Sequence, residues 1–190
     1  MREMDAGKIR LLAISGSLRA VSFNTALLRA AIQLAPDDVE IILYTDIASL
    51  PFFNPDLEGK EPAPVLNFLK QIRSADGILI ASPEYAHGVT GVLKNALDWL
   101  VSGEEFVGKP VALFNTSPRA SHAYAALKET ITVMSARIVN EASICVALLG
   151  TQLDAAGIVA HPEISRAVRK SIVDFTHAIK VSETLSQAED

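Results

Sequence analysis

Ser15, Gly16, Ser17, Arg19, Ser22 and Asn24 fall within ten residues, directly after an apolar run and directly before a stretch of helical period. Hydroxyl donors, a guanidinium and the open amides of a helix N-terminus are together the donor set that a phosphate takes. A helix cap alone would need one such residue, Ser22 or Asn24, whereas this turn carries several. Neither G-x-x-x-x-G-K-[ST] nor G-x-G-x-x-G is present, because Gly16 stands alone, so the turn suits a terminal monophosphate better than a dinucleotide pyrophosphate.

A second group, Pro83, Glu84, Tyr85, Ala86, His87 and Gly88, follows another apolar run. Pro83 and Tyr85 offer rigid apolar surface for a flat ring, and Gly88 and Gly91 let backbone amides approach a ligand edge. A further polar turn, residues 115–123, carries Ser117, with Ser121 readable there as a plain helix cap. The histidines His87, His122, His161 and His177 are scattered, without H-E-x-x-H or paired carboxylates, so no metal site is expected. His87 and His122 fall in the site turns, where solvated loop residues and ligand contacts are both open readings. Lys94 and Asp98, four apart, read as an ion pair on a helix surface.

These turns need elements to hold them. Five short apolar runs, residues 9–14, 39–44, 77–81, 110–115 and 138–148, alternate with longer stretches at 22–34, 64–74, 91–101, 121–137 and 163–185. Most of the runs lack a polar alternate face, as strands covered on both sides do. In the last stretch Ile164, Val168, Ile172, Phe175 and Ile179 repeat every three or four residues, and Pro162 suits a first helical turn. Asn140 and Glu141 interrupt the last run. Residues 46–61, with Pro51, Asn54, Pro55 and Gly59, read as a loop. The pattern predicts a three-layer α/β domain spanning residues 1–190, with a five-stranded parallel sheet. Its ligand is expected beyond the carboxyl ends of the strands at a topological switch point.

The two turns together resemble the NADPH-dependent FMN reductase family of the flavodoxin-like superfamily, whose signatures are G-S-L-R-x-x-S-x-N and P-E-Y-N-x-S-x-P-G-x-L-K-N-A-[IL]-D-W. The first is matched in full. The second is matched at Pro83, Glu84, Tyr85, Gly91, Leu93, Lys94, Asn95, Ala96, Leu97, Asp98 and Trp99, while Ala86, Gly88 and Thr90 replace Asn, Ser and Pro. The resemblance implies strand order 2-1-3-4-5. It also implies FMN, with Ser15, Ser17, Arg19, Ser22 and Asn24 around the phosphate, Pro83, Glu84, Tyr85, Ala86, His87 and Gly88 against the isoalloxazine, and Ser117 at the pyrimidine edge. By the same resemblance the activity is a two-electron oxidoreductase using NADPH or NADH. Its acceptor is a small molecule: a quinone, an azo compound, free flavin or a metal oxyanion. No side chain is required as an acid or base. A homodimer or homotetramer is implied as well. The alternative is a flavodoxin-like FMN carrier served by a partner reductase, which the dispersed acidic residues disfavour.

Composition narrows the remaining classes. A chain of 190 residues with 49% hydrophobic residues can bury a core without disulfides. A net charge of -5, without blocks of like charge, excludes a phosphate-neutralising surface, so no nucleic-acid partner is expected. No apolar stretch is long enough for a membrane span and the N-terminus lacks a signal-type apolar region, so the expected location is the cytoplasm without a membrane partner. The sole cysteine, Cys145, lies in an apolar run and reads as a buried small hydrophobe.

Overall fold

The computed structural model describes residues 7–189, and most of the N-terminal segment read for targeting signals lies outside them. Its strands are β1 (Ile9–Ser15), β2 (Val39–Tyr44), β3 (Gly77–Ala81), β4 (Glu84–Tyr85), β5 (Gly88–Val89), β6 (Pro110–Asn115), β7 (Arg137–Ile138) and β8 (Ile144–Cys145). The helices are α1 (Phe23–Leu34), α2 (Ala63–Ser74), α3 (Gly91–Asp98), α4 (Ser121–Val133), α5 (Ala155–Ala160) and α6 (Pro162–Glu189). No described helix is long and apolar enough to cross a membrane.

The main sheet runs β2-β1-β3-β6-β7, with β8 also paired to β6, and every pairing in it is parallel. This is the predicted flavodoxin-like order, with one difference: the run at 138–148 is not one strand. β7 and β8 are two-residue pieces on either side of a 3₁₀ turn at Asn140–Ala142. Where the chain leaves the ladder, the Ser143 hydroxyl takes over, accepting from the Leu113 amide at 3.0 Å and donating to the Val139 carbonyl at 2.9 Å. A side chain thus satisfies the amide that a continuous strand would have paired.

The strands read as unbroken apolar runs because both faces are covered. Leu11, Ala13, Leu79, Ala81, Ala112 and Phe114 pack with residues of α1, α5 and α6, while Leu12, Ile14, Ile78, Ile80, Val111 and Leu113 pack with residues of α2, α3 and α4. Burial of each large side chain contributes about 1.5–3 kcal/mol. β8 lies at the sheet edge and obeys a different rule. Around it Val146 and Leu148 are buried, while Cys145 and Ala147 are exposed. Cys145 is therefore not a buried hydrophobe as its neighbours suggested, since an edge strand with one covered face turns every second side chain outward. Partial burial of the sulfur still pushes its pKa up.

Four further elements escaped the periodicity. The loop at 46–61 contains 3₁₀ turns at Asp46–Ser49 and Pro55–Leu57, and the turn after β3 folds into the β4–β5 hairpin. α5, six residues long, carries too little periodic signal to be read from sequence.

Candidate functional site

The first turn leaves β1 at Ser15 and is held by its own residues. Ser15 Oγ and Thr25 Oγ1 lie 2.8 Å apart, the Ser17 amide donates to Ser15 Oγ at 3.3 Å, and the Arg19 amide donates to Ser17 Oγ at 3.4 Å. Ser22 is the N-cap of α1, accepting from the Thr25 amide at 3.3 Å. The earlier amides of that first helical turn have no intrahelical acceptor. Gly16 donates to the Ala81 carbonyl at 2.8 Å, which joins this turn to the end of β3. A Cβ on Gly16 would lie 2.4 Å from Ser82 Oγ, so only glycine permits that approach.

The third turn, the one after β3, is held differently. Ala86 and His87 occupy the tip of the β4–β5 hairpin with φ of 48° and 61°, the geometry of a type I′ turn, yet neither is Gly or Asn. The hairpin leans on α4. Glu84 Oε2 accepts from the Ala123 amide at 2.8 Å, and the His87 and His122 rings stack with centroids 4.2 Å apart. Ser121 does not cap α4. It lies inside the helix, the N-cap Ala120 provides no side-chain bond, and the Glu84 carboxylate arrives from another turn to meet the positive end of the helix.

Between these turns and the one after β6 lies a cavity of about 310 Å³. Of the residues expected from sequence, Ser17, Arg19, Ser22, Asn24, Pro83, Glu84, Tyr85 and Ser117 line it. Ser15, Ala86, His87 and Gly88 stand off its wall: Ser15 supports Ser17 from below, and the other three form the far end of the hairpin. Phe23, Ser82, Asn115, Thr116, Arg119, Ala120 and Leu149 complete the lining. Asn115, Thr116 and Arg119 were visible as polar members of the turn at 115–123. Leu149 had no signal, because it arrives from beyond β8.

The turn after β6 resembles the first in its local bonding. Asn115 Oδ1 accepts from the Ser117 amide at 2.9 Å, and Thr116 Oγ1 donates to Asn24 Oδ1 at 3.3 Å, tying this turn to α1. The other half of the long signature serves elsewhere. Asn95 accepts from the Phe53 amide at 2.8 Å and donates to the Pro51 carbonyl at 3.0 Å, and Trp99 Nε1 donates to the same carbonyl at 2.8 Å. These residues fasten the loop that follows β2. Lys94 and Asp98 form the expected ion pair.

Chemically the lining is of two kinds. Hydroxyls, the Asn24 amide group, the α1 N-terminus and a guanidinium suit a phosphate, while Pro83, Tyr85, Ala120 and Leu149 give flat or apolar wall. Arg19 and Arg119 both line it, and Glu84, the acid in the lining, is already bonded to α4. The residues present therefore fit a planar ligand with an anionic tail, as FMN is.

Comparison with known proteins agrees with this donor set. The family model described as NADPH-dependent FMN reductase matches residues 9–148. An NAD(P)H-dependent FMN reductase of Pseudomonas aeruginosa is 38% identical over 156 residues, covering 78% of this chain and 83% of the relative. An NADPH:quinone oxidoreductase of Arabidopsis thaliana is 49% identical over 113 residues, 57% of this chain and 58% of that protein. A quinone reductase of Escherichia coli K12 is 39% identical over 114 residues, 58% of this chain and 61% of that protein. The matches to these two quinone reductases thus span less than two thirds of their length. Among solved structures, a flavoenzyme NAD(P)H:(acceptor) oxidoreductase from Paracoccus denitrificans superposes with a TM-score of 0.80 at 28% identity, covering 90% of this chain and 97% of its own.

Proposed function

The chain belongs to the NADPH-dependent FMN reductase family, and on that premise we propose that it is an FMN-dependent NAD(P)H oxidoreductase that delivers two electrons to a quinone or flavin acceptor. The observation that carries this reading is the convergence of the turns after β1 and β3 on one cavity, with phosphate donors at one part and flat apolar wall at another.

When bound, FMN supplies the electron transfer between pyridine nucleotide and acceptor. The chain supplies position and field. Ser17, Arg19, Ser22 and Asn24 hold the phosphate together with the first amides of α1. Ser15 keeps Ser17 in place. Pro83, Tyr85 and Leu149 wall the ring, and Ser117 offers a polar contact beside it. Ala86, His87 and Gly88 form the hairpin tip that sets the height of Tyr85. Glu84 Oε2 accepts a hydrogen bond from the Ala123 amide and so holds the hairpin against α4. Two arginines in a chain of net charge -5 make the cavity locally attractive to anions.

Anaerobic stopped-flow of the FMN-loaded protein with NADPH and with NADH tests the reading: at least one nucleotide bleaches the flavin absorbance, and bleaching by neither overturns it. A panel of quinones, azo compounds, free flavin and metal oxyanions then assigns the acceptor. The exposed apolar side chains Leu18, Phe52 and Tyr85, all on turns at the carboxyl end of the sheet, support a homodimer or homotetramer. Light scattering that gives the monomer mass removes that assignment. The same reading makes residues 1–190 a single flavin-binding domain working in the cytoplasm, where fractionation of cells would find it.

A further inference from the structure

A second cavity, of about 490 Å³, opens beside the first and shares Ser22 and Phe23 with it. It lies between the start of α1 and residues 151–155, which lead into α5. Val21, Ala26 and Leu153 give it apolar wall, Thr151 and Gln152 give it hydrogen-bonding groups, and Arg29 is its one cation. Arg29 is exposed on α1 and forms no salt bridge among the described residues. The cavity's carboxylate, Asp154, is engaged in its own helix: its Oδ1 accepts from the Gly157 amide at 2.8 Å as the N-cap of α5. An unneutralised guanidinium thus stands at the edge of an apolar cleft that is large enough for a small ligand.

Two smaller cavities hold about 10 Å³ each, room for one water at most. Another, around Arg137, Lys170 and His177, shares no wall with the first. A ligand with one end in the first cavity and the other outside it can enter the chamber behind Ser22 and Phe23. The donor is such a ligand. Its nicotinamide must reach the flavin, and its adenosine half must lie elsewhere. We propose that the second cavity takes the adenosine half of NADPH and that Arg29 pairs with the 2′-phosphate, which makes Arg29 the residue that separates NADPH from NADH. This assignment rests on the flavin-reductase reading above. Guanidinium is suited to the task because it meets phosphate with two parallel hydrogen bonds and stays charged at every working pH. With NADH the same group remains in water without penalty, so the structure specifies a preference between donors rather than an exclusion.

The test uses calorimetric titration of the FMN-loaded protein with adenosine 2′,5′-bisphosphate and with 5′-AMP. Wild type binds the bisphosphate at least tenfold more tightly than 5′-AMP, Arg29→Ala abolishes the difference, and Arg29→Lys restores part of it. In steady state the NADPH/NADH ratio of kcat/KM falls tenfold or more in Arg29→Ala, through KM rather than kcat. Alanine at this exposed helical position favours the helix, so loss of fold does not confuse the outcome. Equal binding of the two probes by wild type, or discrimination that survives Arg29→Ala, overturns the assignment. Failure of the flavin-reductase reading is told apart because it shows as absent bleaching by both nucleotides, whatever the probes do.

Discussion

The first and third turns border the same cavity but are fixed by opposite means. The turn after β1 is held from within, by Ser15, Ser17, Ser22 and Thr25 bonding to one another and to nearby amides. The turn after β3 is held from outside, by α4, through Glu84 on the Ala123 amide and His87 on His122. One turn carries its own scaffold in eleven residues, whereas the other borrows a helix almost forty residues further on. An anion needs donors at fixed spacing, which a short self-bonded turn provides. A wall against a ring needs height and angle, which a docked hairpin can adjust without disturbing the donors.

That contrast can be broken or sharpened by substitutions at five positions. The largest effect is expected from Ser17→Ala combined with Arg19→Ala. Charge-assisted hydrogen bonds contribute about 1.5–3 kcal/mol each, so FMN affinity should fall by about 100-fold in a fluorescence titration while the unfolding midpoint of the apoprotein hardly moves. An unchanged affinity would remove the phosphate from the first turn. Glu84→Ala comes next, costing about 1–2 kcal/mol in urea unfolding because it strips α4 of its carboxylate partner. Hydrogen exchange should quicken across β4, β5 and the start of α4, with Glu84→Gln keeping most of the protection. Should exchange quicken equally in residues 15–25, the two turns are not independent and the comparison fails. Ser22→Ala removes a cap internal to the first turn, for about 1 kcal/mol, and should leave the hairpin's exchange untouched. The smallest change is a gain. Ala86→Gly relieves about 1–2 kcal/mol of left-handed strain and gives back about half of it in unfolded-chain entropy, for a net rise of about 0.5 kcal/mol in thermal unfolding.

The same contrast explains what could be read from sequence. The first turn was legible because its partners are sequence neighbours: a serine bonding two residues away leaves its mark in spacing. The central strands were legible too, since two-sided burial makes each a continuous apolar run, while their order followed from the family resemblance. Glu84 lines the cavity, but its engagement with α4 was invisible in the sequence, and Ser121 looked like the cap because capping is usually local. The hairpin was hidden by Ala86 and His87, which carry none of the Gly or Asn signal that a type I′ turn ordinarily shows. The interruption of the last run at Asn140 and Glu141 was legible and is where the 3₁₀ turn lies, but no pattern announces that Ser143 will stand in for a ladder carbonyl. Asn95 and Trp99 belong to the recognised signature, yet they clasp the loop after β2 rather than the cavity, so membership in a motif did not mean contact with a ligand.

The outward-facing Cys145 offers a practical consequence. It is the chain's one sulfhydryl, and it sits in register with Asn115, which lines the cavity. A maleimide dye would attach at that single place without any engineering and would report on ligand entry from the rim. Because its ionisation is pushed upward, conjugation proceeds faster in mildly alkaline buffer than at neutrality.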